Sequence, residues 1–276
     1  MLECSNIQDV NIDLDVAYFG SKAQHSAYVI DRDSTVQTAN IFSSAPGQFL
    51  ELGVLCDLHH LKQIYTKEFR VPSSIAPIPM CVTNMKELVV LHLDIASSRV
   101  EQYGRNYSSV MELFALPKLE QLVLRDIYAD ANGFTNAVGP TYIHKAPAVV
   151  TPTLKLMNIK QFCFNAVLNN QTFSQFKHLV TLSMSLFMNQ SLSNRHNRSW
   201  CSGNPNWAGM HVMEKLKNLR LEHDFIDGSL PDHVGLPSTM DKLIIDSHPR
   251  LTGTLPVSWF HKESNQRIKT LIIRET

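Results

Sequence analysis

The sequence predicts an α/β solenoid, a stack of about eight short repeats that each give one strand to a parallel sheet, and three observations carry the prediction. Met213, Leu216, Leu219 and Leu221 stand three, three and two residues apart, and Met240, Leu243 and Ile245 return to that spacing. Each run is followed at a matching offset by a turn, Gly228-Ser229-Leu230-Pro231 and then Gly253-Thr254-Leu255-Pro256. The same apolar spacing recurs over most of the remaining chain. Self-similarity at an interval of a few tens of residues marks a repeat architecture.

The spacing has a physical meaning. Apolar residues three apart show one side of a turn or coil to a core, whereas Leu219 and Leu221, two apart, share one face of an extended strand. Amphipathic helices of an ordinary α/β domain would extend a three-four spacing over several turns instead of breaking into a two-residue step. Gly228 and Gly253 permit the close approach or positive φ of a turn, and Pro231 and Pro256 stiffen the departure. Four or five buried apolar side chains contribute about 1.5–3 kcal/mol each. Ordering some 25 residues costs roughly 1–2 kcal/mol apiece. One repeat therefore cannot fold alone, and stacked neighbours must supply the remainder.

Taken in order, Cys4, Ile7, Val10 and Ile12 fit the spacing, so the chain opens part-way through a repeat. Residues 13–50 do not fit and read as an irregular insertion, in which 27–30 and 36–41 are expected to form a hairpin about the polar turn 31–34. The spacing returns at Leu52, Leu55, Leu58, Leu61, Ile64 and Thr66, and then at Val82, Met85, Leu88, Leu91 and Leu93. Next come Val110, Leu113, Leu116, Leu119, Leu122 and Leu124, then Leu156, Ile159, Phe162 and Phe164. Phe173, Phe176, Leu179, Leu182 and Met184 precede the two clearest units, and Ile268, Leu271 and Ile273 close the series. Long intervals between strands place surface loops at 94–109, 128–151 and 185–208. The whole of 1–276 is expected to form one domain. No polar capping segment is recognisable at either end, so a fragment or a poorly capped array is expected.

In its leucine spacing and its Gly-x-Leu-Pro turns the chain resembles the leucine-rich repeat family. The resemblance is to the subtype LxxLxxLxLxxNxLxGxLP, found in plant receptor-like proteins and some protist surface antigens. Ile75-Ala76-Pro77-Ile78-Pro79 is similar to the same turn with alanine in the glycine place. The resemblance implies a leucine-rich repeat solenoid, a curved right-handed superhelix with a short parallel sheet on its concave face, here irregular with insertions. It also implies recognition of a protein or peptide by that face, in a secreted or cell-surface setting. The chain departs from the family where an asparagine should follow the strand. Those positions hold Phe69, Ala96, Ile127, Val167, Phe187, Asp224, His248 and Thr276. The first five cannot form an asparagine ladder, so backbone there must find other partners; Asp224 and His248 are expected to substitute for it.

Within each strand the residue between the two apolar ones, and the one just after, point away from the core. The first column reads Tyr65, His92, Val123, Cys163, Ser183, Arg220, Ile244 and Ile272; the second reads Lys67, Asp94, Arg125, Asn165, Ser185, Glu222, Asp246 and Arg274. Charge alternates along the second column, which suits a mixed polar protein or peptide surface better than a phosphate chain. Tyr65, Lys67, His92, Asp94, Arg125, Arg220, Glu222 and Asp246 are the expected contact residues, since aromatic and arginine side chains dominate interfaces. Val123, Ile244 and Ile272 are apolar on a face expected to be open and point to partial covering, by an insertion or a partner. Trp200 and Trp207 pin their own loop or supply that cover.

No phosphate-cradling glycine loop, GxSxG elbow, HExxH or paired-cysteine metal spacing is present, so no enzyme activity, cofactor or metal is expected. His59 and His60 lie between Leu58 and Leu61 and read as an exposed structural pair. Lys plus Arg and Asp plus Glu are both 25, so no global field favours nucleic acid or an anionic membrane. No apolar run is long enough to span a bilayer, and Glu3 and Asp9 without a basic flank do not make a signal peptide. Cys4, Cys56, Cys81, Cys163 and Cys201 form no zinc pattern and close two pairs at most. Asn106, Asn170, Asn189 and Asn197 each open a glycosylation sequon outside the expected strands. The sequence thus leads to a non-catalytic recognition repeat of a receptor-like surface protein. The competing reading is an intracellular scaffold or adaptor.

Overall fold

The computed structural model describes residues 9–13, 36–42, 58, 60–67, 69–71, 80–97, 112–127, 141–142, 149–160, 162–163, 174–185, 207–222, 228–230, 236–248, 251–259 and 268–274. It is a parallel β-sheet solenoid, the fold class the sequence predicts, and the chain divides into two compact units, Met1–Phe134 and Thr135–Thr276.

The first unit contains β1 (Asp9–Asp13), β2 (Thr38–Phe42), β3 (Gln63–Lys67), β4 (Phe69–Val71), β5 (Val90–Ser97) and β6 (Gln121–Ile127). The strands run parallel in the order β1-β2-β3-β5-β6, with β4 also on β5. The three-residue step of the sequence is a backbone hydrogen bond: the N–H of Leu61 donates to the carbonyl of Leu58, Leu88 to Met85, and Leu119 to Leu116. These are 3₁₀-type turns, whose side chains three apart eclipse one another, so successive leucines enter the core together. Leu58, Leu61 and Ile64, then Met85, Leu88, Leu91 and Leu93, and then Leu116, Leu119, Leu122 and Leu124 are all buried. At the strand entrances one carbonyl serves two donors. Gln37 O accepts from Lys62 and Gln63 N–H at 2.8 and 3.0 Å, and Lys62 O accepts from Val89 and Val90 N–H at 2.7 and 3.0 Å.

Two expectations are corrected in this unit. Thr38–Phe42 is a parallel strand between β1 and β3, with Val36 and Ala39 buried. The segment 36–41 therefore does not pair as an antiparallel hairpin arm, and residues 27–30 lie outside the described residues. Asp94–Ser97, expected to open a loop, continue β5. That continuation resolves the missing asparagines: Phe69, Ala96 and Ile127 lie in strands, where Phe69 pairs Ile95 and Ala96 pairs Ile127. The register on β5 changes by one residue between Tyr65↔His92 and Phe69↔Ile95. Across that slip the Asp94 N–H donates to Thr66 Oγ1 at 2.9 Å, a side chain taking over a bond that an unbroken ladder would give to a carbonyl.

The second unit contains β7 (Thr141–Tyr142), β8 (Leu156–Lys160), β9 (Phe162–Cys163), β10 (Thr181–Ser185), β11 (Asn218–Glu222), β12 (Gly228–Ser229), β13 (Lys242–Asp246), β14 (Leu251–Thr252) and β15 (Thr270–Arg274). The order β8-β10-β11-β13-β15 is parallel and in register, so Met157, Leu182, Leu219, Leu243 and Leu271 form one row. Two-residue ladders pair β7 with β9 and β12 with β14. Core positions of β8, β10, β11 and β13 are buried, whereas Leu271 and Ile273 of β15 are half-buried. Gly253 takes φ +89°, as its turn requires, and a Cβ there would meet Ser229 Cβ at 3.3 Å.

One strand differs from the sequence reading. The core pair of the strand in this repeat is Met157 and Ile159, preceded by buried Leu154 and Thr151, and Phe164, expected in that pair, lies outside the described residues. Thr151 occupies an apolar slot as a polar residue, its hydroxyl 2.9 Å from that of Thr153. Phe162 and Cys163 belong instead to the short ladder with β7.

Candidate ligand-binding face

Because side chains alternate along each strand, burying one set commits the other to the opposite face. In the first unit Asn11, Asn40, Tyr65, His92 and Val123 fall in one register column. Tyr65 and His92 meet edge to face with ring centroids 4.8 Å apart, and the Tyr65 hydroxyl donates to Gln63 Oε1 at 3.1 Å. Burial pushes the His92 pKa down from 6.5; a hydrogen bond with Gln121 opposes that shift, Arg125 adds to it, and Asp94 opposes it. Its Nε2 is buried without a hydrogen-bond partner among the described residues. Asp94 and Arg125 lie opposite each other, Arg125 Nε 3.6 Å from Asp94 Oδ1. Lys67 takes the register position beside Phe42 on β2.

In the second unit the middle column is Asn158, Ser183, Arg220, Ile244 and Ile272. The last column is Lys160, Ser185, Glu222, Asp246 and Arg274. Asn158 and Lys160 thus replace Cys163 and Asn165 of the sequence reading, a consequence of the register of β8. Arg220 donates through Nε to Glu222 Oε1 at 2.6 Å and also pairs with it through its terminal nitrogen. The two partners differ in depth: the Arg220 side chain is 49% exposed and that of Glu222 8%. Asp246 is half-buried and accepts from the Ser247 hydroxyl at 3.1 Å. Val123 and Ile244 are buried despite their outward positions, and Ile272 is half-buried.

His248 sits where the family places its asparagine and is fully buried. Its Nε2 lies 3.0 Å from the carbonyl oxygen of Leu221, the last core residue of the preceding strand. Since the carbonyl can only accept, Nε2 carries the proton. Asp224, the other expected substitute, lies outside the described residues, as do Asn106, Asn170, Asn189, Asn197 and Trp200.

No family model matches the chain, and no curated protein matches it in sequence. Among solved structures it is similar to an internalin (InlF) of Listeria monocytogenes, with 12% identity and a TM-score of 0.43 over 86% of this chain. The match spans 61% of the internalin chain.

Away from the outward columns, Gln37, His60, Lys62 and Glu87 line a shallow polar depression in the first unit. A hydrogen bond from Lys118 holds the Glu87 carboxyl below its ordinary pKa; burial opposes it, and the charges of Lys118, Lys62 and His60 add to it. Among the described residues no group of three or more His, Cys, Asp or Glu is placed to hold a metal ion, and no helix is long and apolar enough to cross a membrane. The sequence reading missed the row that enters the strands of the second unit, Lys155, Val180, Lys217, Asp241 and Lys269, linked coil to coil by backbone hydrogen bonds. Its signal was legible: each of these residues stands two before the first core residue of its strand.

Proposed function

We propose that this chain is a non-catalytic recognition module that binds a protein or peptide through the outward columns of its parallel strands. The observation that carries the reading is the division of each strand. One set of side chains forms the core, while Tyr65, His92, Arg220, Lys242 and Arg274 on the other set are accessible to solvent. Tyrosine and arginine dominate protein interfaces, and an uncovered parallel sheet face carrying them is a ready docking surface.

The setting proposed is secreted or cell-surface, as part of a receptor-like protein. Cys81 is disulfide-bonded, and such bonds persist in oxidising compartments. Mass spectrometry of protein from its native source would find glycan on Asn106, Asn170, Asn189 or Asn197; four bare asparagines would favour the intracellular adaptor.

Photo-crosslinking tests the face itself. A photoreactive side chain at Ser183 should capture a partner that the same group at exposed Lys177 does not. Binding of that purified partner should weaken at least about tenfold in Arg220→Glu, the loss expected for a central interface residue. Capture only from Lys177, or unchanged binding by Arg220→Glu, moves the site away from the strands.

A further inference from the structure

The charge of the chain balances, but the strand face of the second unit does not. Five segments, 155–160, 180–185, 217–222, 241–246 and 269–274, lie side by side through β8, β10, β11, β13, β15 and the residues entering them. They carry seven basic side chains against three acidic ones, in a chain that holds 25 of each sign. All the charges occupy positions outside the core rows. Lys155, Lys217, Lys242 and Lys269 cluster at the strand entrances, and Lys160, Arg220 and Arg274 stand further along.

Depth sharpens the imbalance. Six of the seven cations are exposed, whereas Glu222 is buried and Asp241 and Asp246 are half-buried. Within the pairs the cation is always the outer member: Arg220 over Glu222, and Lys269, 72% exposed, over Asp241 at 36%. An approaching molecule meets the cations first, and Glu222 and Asp241 beneath hold Arg220 and Lys269 in place.

We propose that this face docks an extended acidic protein segment bearing apolar side chains, an inference that rests on the recognition reading above and names its partner class. The occupant follows from three features. The cations select negative charge. Ile272 and Ile244, register neighbours in the middle column, half-buried and buried, give an apolar side chain a surface to rest on. A nucleic acid fits poorly, because none of the five segments contains an aromatic side chain for base stacking.

Fluorescence anisotropy with three labelled probes decides the matter: a synthetic peptide of alternating Glu and Ile, its Lys–Ile counterpart, and oligothymidine. The Glu–Ile peptide should bind in preference to both others and weaken as salt is raised. Reversing exposed Lys217, Lys242 and Arg274 together to Glu should weaken it about tenfold or more. Lys177→Glu with Lys215→Glu, exposed positions outside the five segments, should change it less than about twofold. Unchanged melting temperatures in both variants establish that the fold survives. Absence of Glu–Ile binding, equal binding of the Lys–Ile peptide, or insensitivity to the triple reversal overturns the proposal. Preferred binding of oligothymidine that the triple reversal abolishes reassigns the face to phosphate. Cross-links from Ser183 to a neutral or basic partner segment would remove this proposal alone and leave protein recognition standing.

Discussion

His248 supplies with an imidazole the bond expected of an asparagine amide. Its Nε2–H satisfies the Leu221 carbonyl inside the turn, where water does not reach. Replacing it by leucine removes that buried hydrogen bond, worth about 0.5–1.5 kcal/mol. His248→Asn restores a donor and should recover part of the loss, as denaturant unfolding of the variants would report; equal loss in both would deny the ladder role. His92 is tuned by burial. Burial holds its folded pKa below 6.5, so the unfolded chain takes up the proton first as pH falls. Its contribution to stability is therefore fully present above about 6.5 and is lost as pH falls from there through the folded value. Denaturation midpoints measured across that window should fall more steeply for the native protein than for His92→Gln, and parallel profiles would contradict the assignment.

At the scale of the element, the sequence was readable wherever every slot of the three-three-two pattern held an apolar residue. The strands at Leu91 and Leu93, Leu122 and Leu124, Leu182 and Met184, and Leu219 and Leu221 lie where that pattern puts them, and their step of three is the 3₁₀-type bond seen between successive leucines. Two strands escaped it for identifiable reasons. Before β8 the slot at Thr151 is polar, its hydroxyl satisfied by Thr153, so the apolar spacing is continued by the phenylalanines that follow. In β2 the core residue is Ala39, too small to stand out among leucines, although it is completely buried. The first error displaced two face residues, Asn158 and Lys160, and with them part of the basic character of the second unit. The slip after β3 was not legible at all, because it depends on how Thr66 meets the backbone of a neighbouring coil 28 residues away.

On the scale of the molecule, function rests on register. A one-residue slip between neighbouring strands would send every outward side chain into the core, so the columns proposed for recognition exist only if the strands are parallel and aligned. Engineered cysteines read that alignment directly. Ser183 and Arg220 are register partners on adjacent strands, and neighbouring strands lie about 4.8 Å apart, within the roughly 4.4–6.8 Å that a disulfide accepts. Asn218, two residues before Arg220, falls at about 8 Å from Ser183, beyond that reach. Mild oxidation of the Ser183→Cys/Arg220→Cys protein should give the cross-linked peptide by mass spectrometry, and Ser183→Cys/Asn218→Cys should not. Cross-linking of the second pair in preference to the first would show the strands to be shifted or antiparallel, and the face assembled from them would not exist.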